Sequence, residues 1–456
     1  MSSTLEDGHR APVPILPRSL WHRPGLVVVA AMAALVCVGT VLLMLPVARS
    51  GPGGAPLVVA LFTSTSAACV TGLTVVDTGT YWSGFGQAVI AGLVQAGGLG
   101  LMTAAALLGI LVAGRLGLRT KILAGAESKS PLGTVGLVLR WSAAMAVAVE
   151  ATVALALVLR LWLGGRDDLP HALWSGLFHA VSAYNNAGFA LWPDNLTGFA
   201  ADPFFLLPVT AAFVVGGLGY PVLLDLLDGR PREWSLHTRL TLLVTGVLCV
   251  LGPLAVLASE WSNPATLGAL DVPGRLLSGT FSGLSPRTAG FNTFDYGQAD
   301  ASTLLLTDVL MFVGGGSAGT AGGIKVTTFG VLVLAALAEA RGDSDIDVFR
   351  RRIGEQTVRQ AIAVAVVVVL AVSAAAVALL ELTDEPLDTV LFEVVSATAT
   401  VGLTADLTNH LPAGAQLVLV ALMFAGRVGP MTLATVLALR RGHRHYRHPE
   451  ARPLVG

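Results

Sequence analysis

Phe62-Thr-Ser-Thr-Ser66-Ala-Ala-Cys69-Val70-Thr71-Gly72-Leu73 carries no charge, yet it sits between two long apolar runs, 25–47 and 85–114. It recurs as Phe178-His-Ala-Val-Ser182-Ala-Tyr-Asn-Asn186-Ala187-Gly188-Phe189, as Phe281-Ser-Gly-Leu-Ser285-Pro-Arg-Thr288-Ala289-Gly290-Phe291 and as Phe392-Glu-Val-Val-Ser396-Ala-Thr-Ala-Thr400-Val401-Gly402-Leu403. Phe precedes Gly by ten residues in three copies and by nine in the third, which holds Pro286. A second mark follows 24 to 28 residues after each glycine: Gly97-Gly98-Leu-Gly100, Gly216-Gly217-Leu-Gly219, Gly314-Gly315-Gly316-Ser317 and Gly426-Arg427-Val-Gly429. Two landmarks keeping step through four copies identify one unit repeated four times.

The background is that of a membrane protein. Of 456 residues, 54% are hydrophobic and 12% charged, about half the charge of a soluble domain, and the mean hydropathy is +0.73. Lys+Arg (28) and Asp+Glu (29) nearly cancel, so there is no basic excess of the kind a nucleic-acid binder needs. Cys37, Cys69 and Cys249 show neither disulfide nor zinc spacing. Uncharged stretches fall at 25–47, 85–114, 203–224, 240–259 and 360–380, and 141–159 is apolar except for Glu150. Two more, 302–337 with Asp308 and Lys325 and 411–439 with Arg427, are broken by glycines and charge. Each can supply the roughly 20 residues that span a bilayer, which gives eight crossings.

The expected organisation is a segment 1–24, repeats at 25–114, 141–228, 239–338 and 359–440, and a basic tail 441–456. Arg115, Arg119, Lys121, Lys129 and Arg140 against a single Glu127, with Arg440, Arg441, Arg444 and Arg447 in the tail, place both termini and these connections in the cytoplasm.

Ten residues from Phe to Gly cannot cross a bilayer even as helix, so each segment enters and returns on one side. Backbone at that depth is tolerated only beside protein or water. Four such segments about one axis can aim carbonyls at a central ion in place of its hydration shell, and glycine supplies the backbone angles that this requires. Val70-Thr71, Asn186-Ala187, Thr288-Ala289 and Thr400-Val401 are uncharged, so the backbone must coordinate. A calcium site would want carboxylates. K+ is therefore the expected ion, with Na+ or Rb+ as lesser permeants, and the filter set is Val70, Thr71, Gly72, Asn186, Ala187, Gly188, Thr288, Ala289, Gly290, Thr400, Val401 and Gly402.

The motifs Cys69-Val-Thr-Gly-Leu73, Tyr184-Asn-Asn-Ala-Gly-Phe189, Arg287-Thr-Ala-Gly-Phe-Asn292, Thr400-Val-Gly-Leu403, Gly322-Gly-Ile-Lys325 and Arg427-Val-Gly-Pro430 resemble the signatures of the Trk/Ktr/HKT superfamily of potassium transporters. The resemblance covers about residues 25 to 440. The short N-terminus, with no extra leading helix pair, is more similar to the Ktr-type membrane subunit than to the longer Trk type. It implies an all-α, potassium-channel-like protomer of four helix, pore-loop, helix units. It also implies a homodimer in a bacterial plasma membrane and a cytoplasmic nucleotide-binding regulatory partner of the RCK type. In plant relatives a serine at the first filter glycine accompanies Na+ preference, so Gly72 supports K+.

The stretch 314–323 is six-tenths glycine, and each glycine costs a continuous helix about 1 kcal/mol. An intramembrane gating loop is expected from Gly314, Gly315, Gly316, Ser317, Gly319, Gly322 and Gly323, with Lys325 and Arg427. A phosphate-binding loop does not fit, since Ile324 separates Gly323 from Lys325 and no strand precedes. Close helix packing is the bland alternative. A mid-helix charge needs a cavity or a partner. Arg427 is therefore either a positive barrier bonded to loop carbonyls or one half of an ion pair with Glu150 or Asp308.

Glu150 is a functional candidate, a snorkelling side chain or a dimer contact, Cys69 packs behind the filter or faces the vestibule, and Asp167-Asp168 is solvated. Asn195-Leu-Thr197 fits a glycosylation sequon. His443 to His448 is a lipid-facing basic stretch or a metal site, and the mixed-charge connection 339–359 is a docking surface or simply solvated. The alternative function is a secondary transporter coupling a solute to Na+ or H+ through broken helices, although such folds carry two repeats rather than four. An enzyme would need a convergent polar constellation, and no HExxH motif occurs.

Overall fold

The computed structural model describes residues 24–114, 131–227, 229 and 231–439. Arg115, Arg119, Lys121, Glu127, Lys129 and the arginines and histidines of the tail, on which the expected orientation rests, lie outside the described residues.

The chain is mostly helical. Helix α1 (Pro24–Met44) leads to a short α2 (Leu57–Ala68), a turn α3 (Thr78–Tyr81) and a long α4 (Gly84–Gly114). Then come α5 (Pro131–Leu163), α6 (Leu169–Tyr184), α7 (Pro203–Leu218) and α8 (Tyr220–Leu227). They are followed by α9 (Leu236–Glu260), α10 (Val272–Leu284), α11 (Ala301–Phe312) and α12 (Val326–Arg341). The chain closes with α13 (Glu355–Leu382), α14 (Leu387–Ala399) and α15 (Ala413–Leu439). By length and composition, Gly25–Met44, Arg140–Leu163, Leu236–Glu260 and Glu355–Leu382 are apolar enough to cross a membrane. Their outward faces carry exposed Val41, Leu155, Val250 and Leu370, as a lipid-facing surface requires.

Helices α2, α6, α10 and α14 hold 12, 16, 13 and 13 residues. At 1.5 Å per residue they reach about 18–24 Å and stop short of a 30 Å hydrocarbon core. Each begins at a proline, Pro56 and Pro386 as N-caps and Pro170 and Pro273 in the first turn, where a missing N–H costs nothing. Asp168 and Asp271 cap α6 and α10 by accepting from His171 N and Gly274 N. Asp168 is thus a cap, held below the usual carboxylate range by its hydrogen bonds with the His171 side chain and backbone.

Four apolar clusters of the core each lie between neighbouring units. Phe62 lies among Met32, Leu379, Val394 and Met423, joining the first unit to the fourth. Phe178 lies with Leu43 and Ile90, joining first and second. Phe281 lies with Phe205 and Phe213, joining second and third, and Phe392 with Tyr296 and Met311, joining third and fourth. The repeated phenylalanine is therefore a seam residue. Truncating one to alanine would cost about 3–5 kcal/mol. Helix α15 packs on α1 and α2, so the chain closes on itself.

One expectation needs correction. The stretch 203–224 is not one helix: α7 and α8 meet at 100°, at Gly219, whose φ of +87° favours glycine. The stretch 302–337, expected to be broken by its glycines, is interrupted between Phe312 and Val326. The connection 339–359 contains a hairpin, Asp347–Val348 against Arg351–Arg352, with Phe349 and Arg350 at positive φ in its turn.

Candidate ion pathway

Each short helix ends at a tip with the same backbone. Val70 and Gly72 have φ of +54° and +98°, Asn186 and Gly188 +60° and +69°, Thr288 and Gly290 +70° and +74°, and Thr400 and Gly402 +51° and +97°. Residues at positive φ alternate with Thr71, Ala187, Ala289 and Val401, which are not at positive φ. For β-branched Val70, Thr288 and Thr400 the left-handed conformation costs about 1–2 kcal/mol each, so the surroundings must hold it.

The repeated serine does part of that work. Ser66, Ser182, Ser285 and Ser396 each accept, through their carbonyls, the N–H of the residue before the glycine: Thr71, Ala187, Ala289 and Val401. In the first and fourth units the serine hydroxyl also accepts the glycine N–H, both at 3.1 Å. In the second and third it donates instead to the carbonyl of the following phenylalanine, Phe189 or Phe291. The one-residue deletion of the third segment falls between Ser285 and Ala289, and the tip beyond it keeps its angles.

The glycine of the second landmark supports the tip from behind. A Cβ on Gly97 would lie 2.0 Å from the carbonyl oxygen of Ala68, one on Gly216 1.9 Å from that of Tyr184, and one on Gly426 1.9 Å from that of Thr398. Each carbonyl is four residues before its tip glycine. Only a residue without a side chain lets these helices approach so closely.

The tips close into a ring. A Cβ on Gly72 would lie 2.2 Å from Ala187 O, one on Gly188 2.8 Å from Gly290 Cα, one on Gly290 2.2 Å from Val401 O, and one on Gly402 2.1 Å from Thr71 O. The order first, second, third, fourth, first runs in one rotational sense. The negative C-terminal ends of α2, α6, α10 and α14 lead into this ring, a polarity that favours a cation. All twelve expected filter residues are together in it, and all are buried.

The chain leaving the tips borders a polar cavity of about 390 Å³ lined by Gly72, Gly188 and Gly402 and by Asp77, Asp194, Asp295 and Asp406, one acid per unit, with no Lys or Arg. These aspartates are absent from the expected site. So are the braces set by the residue after the landmark phenylalanine in the second, third and fourth units. His179 accepts from Leu191 N at 3.2 Å, Glu393 accepts from Ala405 N at 3.1 Å, and Ser282 pairs with Thr293 Oγ1 at 2.9 Å. The available signal was an aspartate four to six residues after each tip glycine.

The interrupted stretch lies against the tips. Gly314 N bonds to Ile324 O and Val326 N to Gly315 O, while Gly316 N and Thr320 N bond to the carbonyls of Gly217 and Gly216 on α7. A Cβ on Gly322 would overlap Thr400 Oγ1 of the fourth tip. Ser317 pairs with Thr327, and Lys325 Nζ donates to Ala321 O at 2.6 Å. Arg427 Nη1 donates to Thr320 O at 2.5 Å, and Thr320 Oγ1 donates to Asn186 Oδ1 at 2.9 Å. Thr320, not foreseen from the sequence, joins loop, arginine and second tip. Glu150 bonds to Gln95 and Asn185. Among the described residues no carboxylate pairs with Arg427, and its Nε and Nη2 are buried without partners.

Cys69 is fully buried among the apolar residues of the first seam. Asn195 of the sequon is half-buried, and its side chain bonds to Gly188 O and accepts from Asn292 N.

Residues 26–443 match the family described as TrkH, cation transport protein. The chain belongs to the TrkH family. Relatives include the Ktr system potassium uptake protein B of Bacillus subtilis (39% identical, covering 92% of this chain and 94% of that one) and its counterpart in Vibrio alginolyticus (38%, 91% of each). The potassium/sodium uptake protein NtpJ of Enterococcus hirae is 33% identical over 95% of this chain and 97% of its own. The crystal structure of the potassium transporter TrkH from Vibrio parahaemolyticus aligns with a TM-score of 0.70 at 17% identity, covering 94% of this chain and 86% of that one; the two share the TrkH fold. As a TrkH-family member the chain is a cation transport protein and not an enzyme.

Proposed function

We propose that this chain is the ion-translocating membrane subunit of a K+ uptake system of the Ktr type, with eight crossings arranged as four helix, pore-loop, helix units about one pore. The ring formed by the tips at Gly72, Gly188, Gly290 and Gly402 is the observation that carries this. Carbonyls of Val70, Thr71, Asn186, Ala187, Thr288, Ala289, Thr400 and Val401, with those of the glycines, act as the selectivity filter and replace the water of a dehydrated K+. Na+ is the secondary permeant, in keeping with the name of the Enterococcus relative. The acidic cavity concentrates cations at the entrance.

The loop 314–323 with Lys325 and Arg427 is the gate. Its support is the bond from Arg427 to Thr320 and the unpaired remainder of the guanidinium, a positive charge set against cation passage. An apolar cavity of about 190 Å³ beside Phe312, Gly323 and Gly426 gives the loop room to move. Both termini face the cytoplasm, the protomer pairs as a homodimer, and an RCK-type nucleotide-binding subunit drives the gate. Growth of a K+-uptake-deficient bacterium at low external K+ tests the reading. Rescue by the wild-type gene is expected, and failure of well-expressed protein to rescue with any regulatory subunit would refute it.

A further inference from the structure

The second tip has a polar anchor on its outer side. Asn185, fully buried, ends α6 and precedes Asn186. Its Nδ2 donates to Gln95 Oε1 on α4 at 2.7 Å and to Glu150 Oε1 on α5 at 3.2 Å. Gln95 Nε2 donates to Glu150 Oε2 at 3.3 Å. The three side chains form a closed triangle in which the carboxylate accepts from both amides. Gly98 makes room for it, since a Cβ there would lie 2.0 Å from Asn185 Oδ1.

The same position in the third segment is Arg287, which donates to Cys249 Sγ at 3.1 Å and approaches Thr245 on α9. In the first and fourth segments it is Cys69 and Ala399, both packed in apolar clusters. Two tips are thus tied from behind by polar side chains and two are held by packing. An acid buried in an otherwise apolar span is expensive, and for stability alone an apolar residue of similar volume would serve as well or better. Its value lies in fixing a geometry.

We propose that Glu150 is a positioning residue of the ion pathway: with Gln95 it fixes the side chain of Asn185 and so the backbone of the second tip, Asn186–Gly188. This rests on the tips being the selectivity filter. Glu150 touches no ion; it sets how well the second quarter of the ring matches one.

The hydrogen-bond directions supply a test that packing would not pass. Glu150→Gln keeps the shape but sets an amide donor against Gln95 Nε2. Glu150→Leu removes both acceptors. In the double variant Gln95→Glu with Glu150→Gln, the amide introduced at 150 donates to the carboxylate introduced at 95. Asn185 Nδ2 keeps an acceptor on each, so every bond of the triangle is restored with one reversed. Asn185→Ala cuts the tie from the tip side and leaves the pair between α4 and α5 intact.

Full-length protein with its regulatory subunit would be assayed in K+-uptake-deficient cells for Rb+ uptake and its competition by Na+, with protein in the membrane quantified. Glu150→Gln, Glu150→Leu and Asn185→Ala should each lower the preference for Rb+ over Na+ about tenfold, equivalent to about 1.4 kcal/mol, and the double variant should recover it to within about twofold of wild type. Wild-type preference in Asn185→Ala or in either Glu150 variant would overturn the proposal, whatever the expression level. So would a double variant no better than Glu150→Gln. Absence of Rb+ uptake by the unaltered protein would overturn the filter reading itself, whereas uptake with unchanged preference in the variants rejects the anchor alone.

Discussion

Replacing Arg427 separates the two ways in which it can hold the pathway shut. From the second tip, two hydrogen bonds lead to the guanidinium, Asn186 to Thr320 at 2.9 Å and Thr320 to Arg427 at 2.5 Å. This chain of contacts puts the charge on the order of 10 Å from the ring. At that distance and an effective dielectric constant of about 20, a unit charge opposes a monovalent cation by about 1.7 kcal/mol. Each 1.36 kcal/mol is about a factor of ten in rate, so removing the charge alone should raise flux roughly 15- to 20-fold. Arg427→Gln does this while leaving an amide able to reach Thr320 O. Arg427→Ala also forfeits the charged hydrogen bond, worth about 1.5–3 kcal/mol, and frees the loop, so its flux should exceed that of the glutamine variant about tenfold or more. The assay is Rb+ uptake without the regulatory subunit in K+-uptake-deficient cells, normalised to membrane protein. Uptake in both variants equal to or below wild type would refute the barrier.

Gly72→Ser should lower the preference for K+ over Na+ about tenfold or more. Ala187 O would have to retreat by about 0.8 Å to reach the shortest contact, 3.0 Å, that a real Cβ tolerates; an unchanged preference in Na+ competition of Rb+ uptake would contradict this. Cys69 has no exposed surface, so a Cys37→Ala, Cys249→Ala protein should be indifferent to external mercurials, and a block abolished by Cys69→Ala would show otherwise. Asp194→Asn combined with Asp406→Asn should reduce uptake about two- to fivefold at low ionic strength and hardly at all at high, because salt screens a vestibule field. An equal reduction at both would place these aspartates in some other role.

The repeat was legible because each recurring residue has its own physical task. The phenylalanine fills a seam, the serine holds the tip, the tip glycine takes a positive φ, and the later glycine admits a helix carbonyl. Arg427 was legible as a charge in an apolar run, and the 314–323 loop as a stretch too rich in glycine for helix. The left-handed Val70, Thr288 and Thr400 were not, because β-branched residues are poor candidates for that conformation and only tertiary contacts impose it. The break at Gly219 was hidden in an unbroken apolar run, and its cause, the nearby Ser317 backbone 2.6 Å from a would-be Cβ, is about 100 residues away. Thr320 reads as filler between glycines. Glu150 stood out as a lone charge, but Gln95 and Asn185 are 55 and 35 residues distant, and nothing in local sequence names them.

The most direct measurement is the anomalous scattering of Rb+ in crystals of the full-length protein. The four-tip ring predicts a peak enclosed by the backbone of Gly72, Gly188, Gly290 and Gly402, displaced by K+ and weakened in Gly72→Ser. Protein that transports Rb+ yet binds it elsewhere, with no density among the four tips, would contradict it.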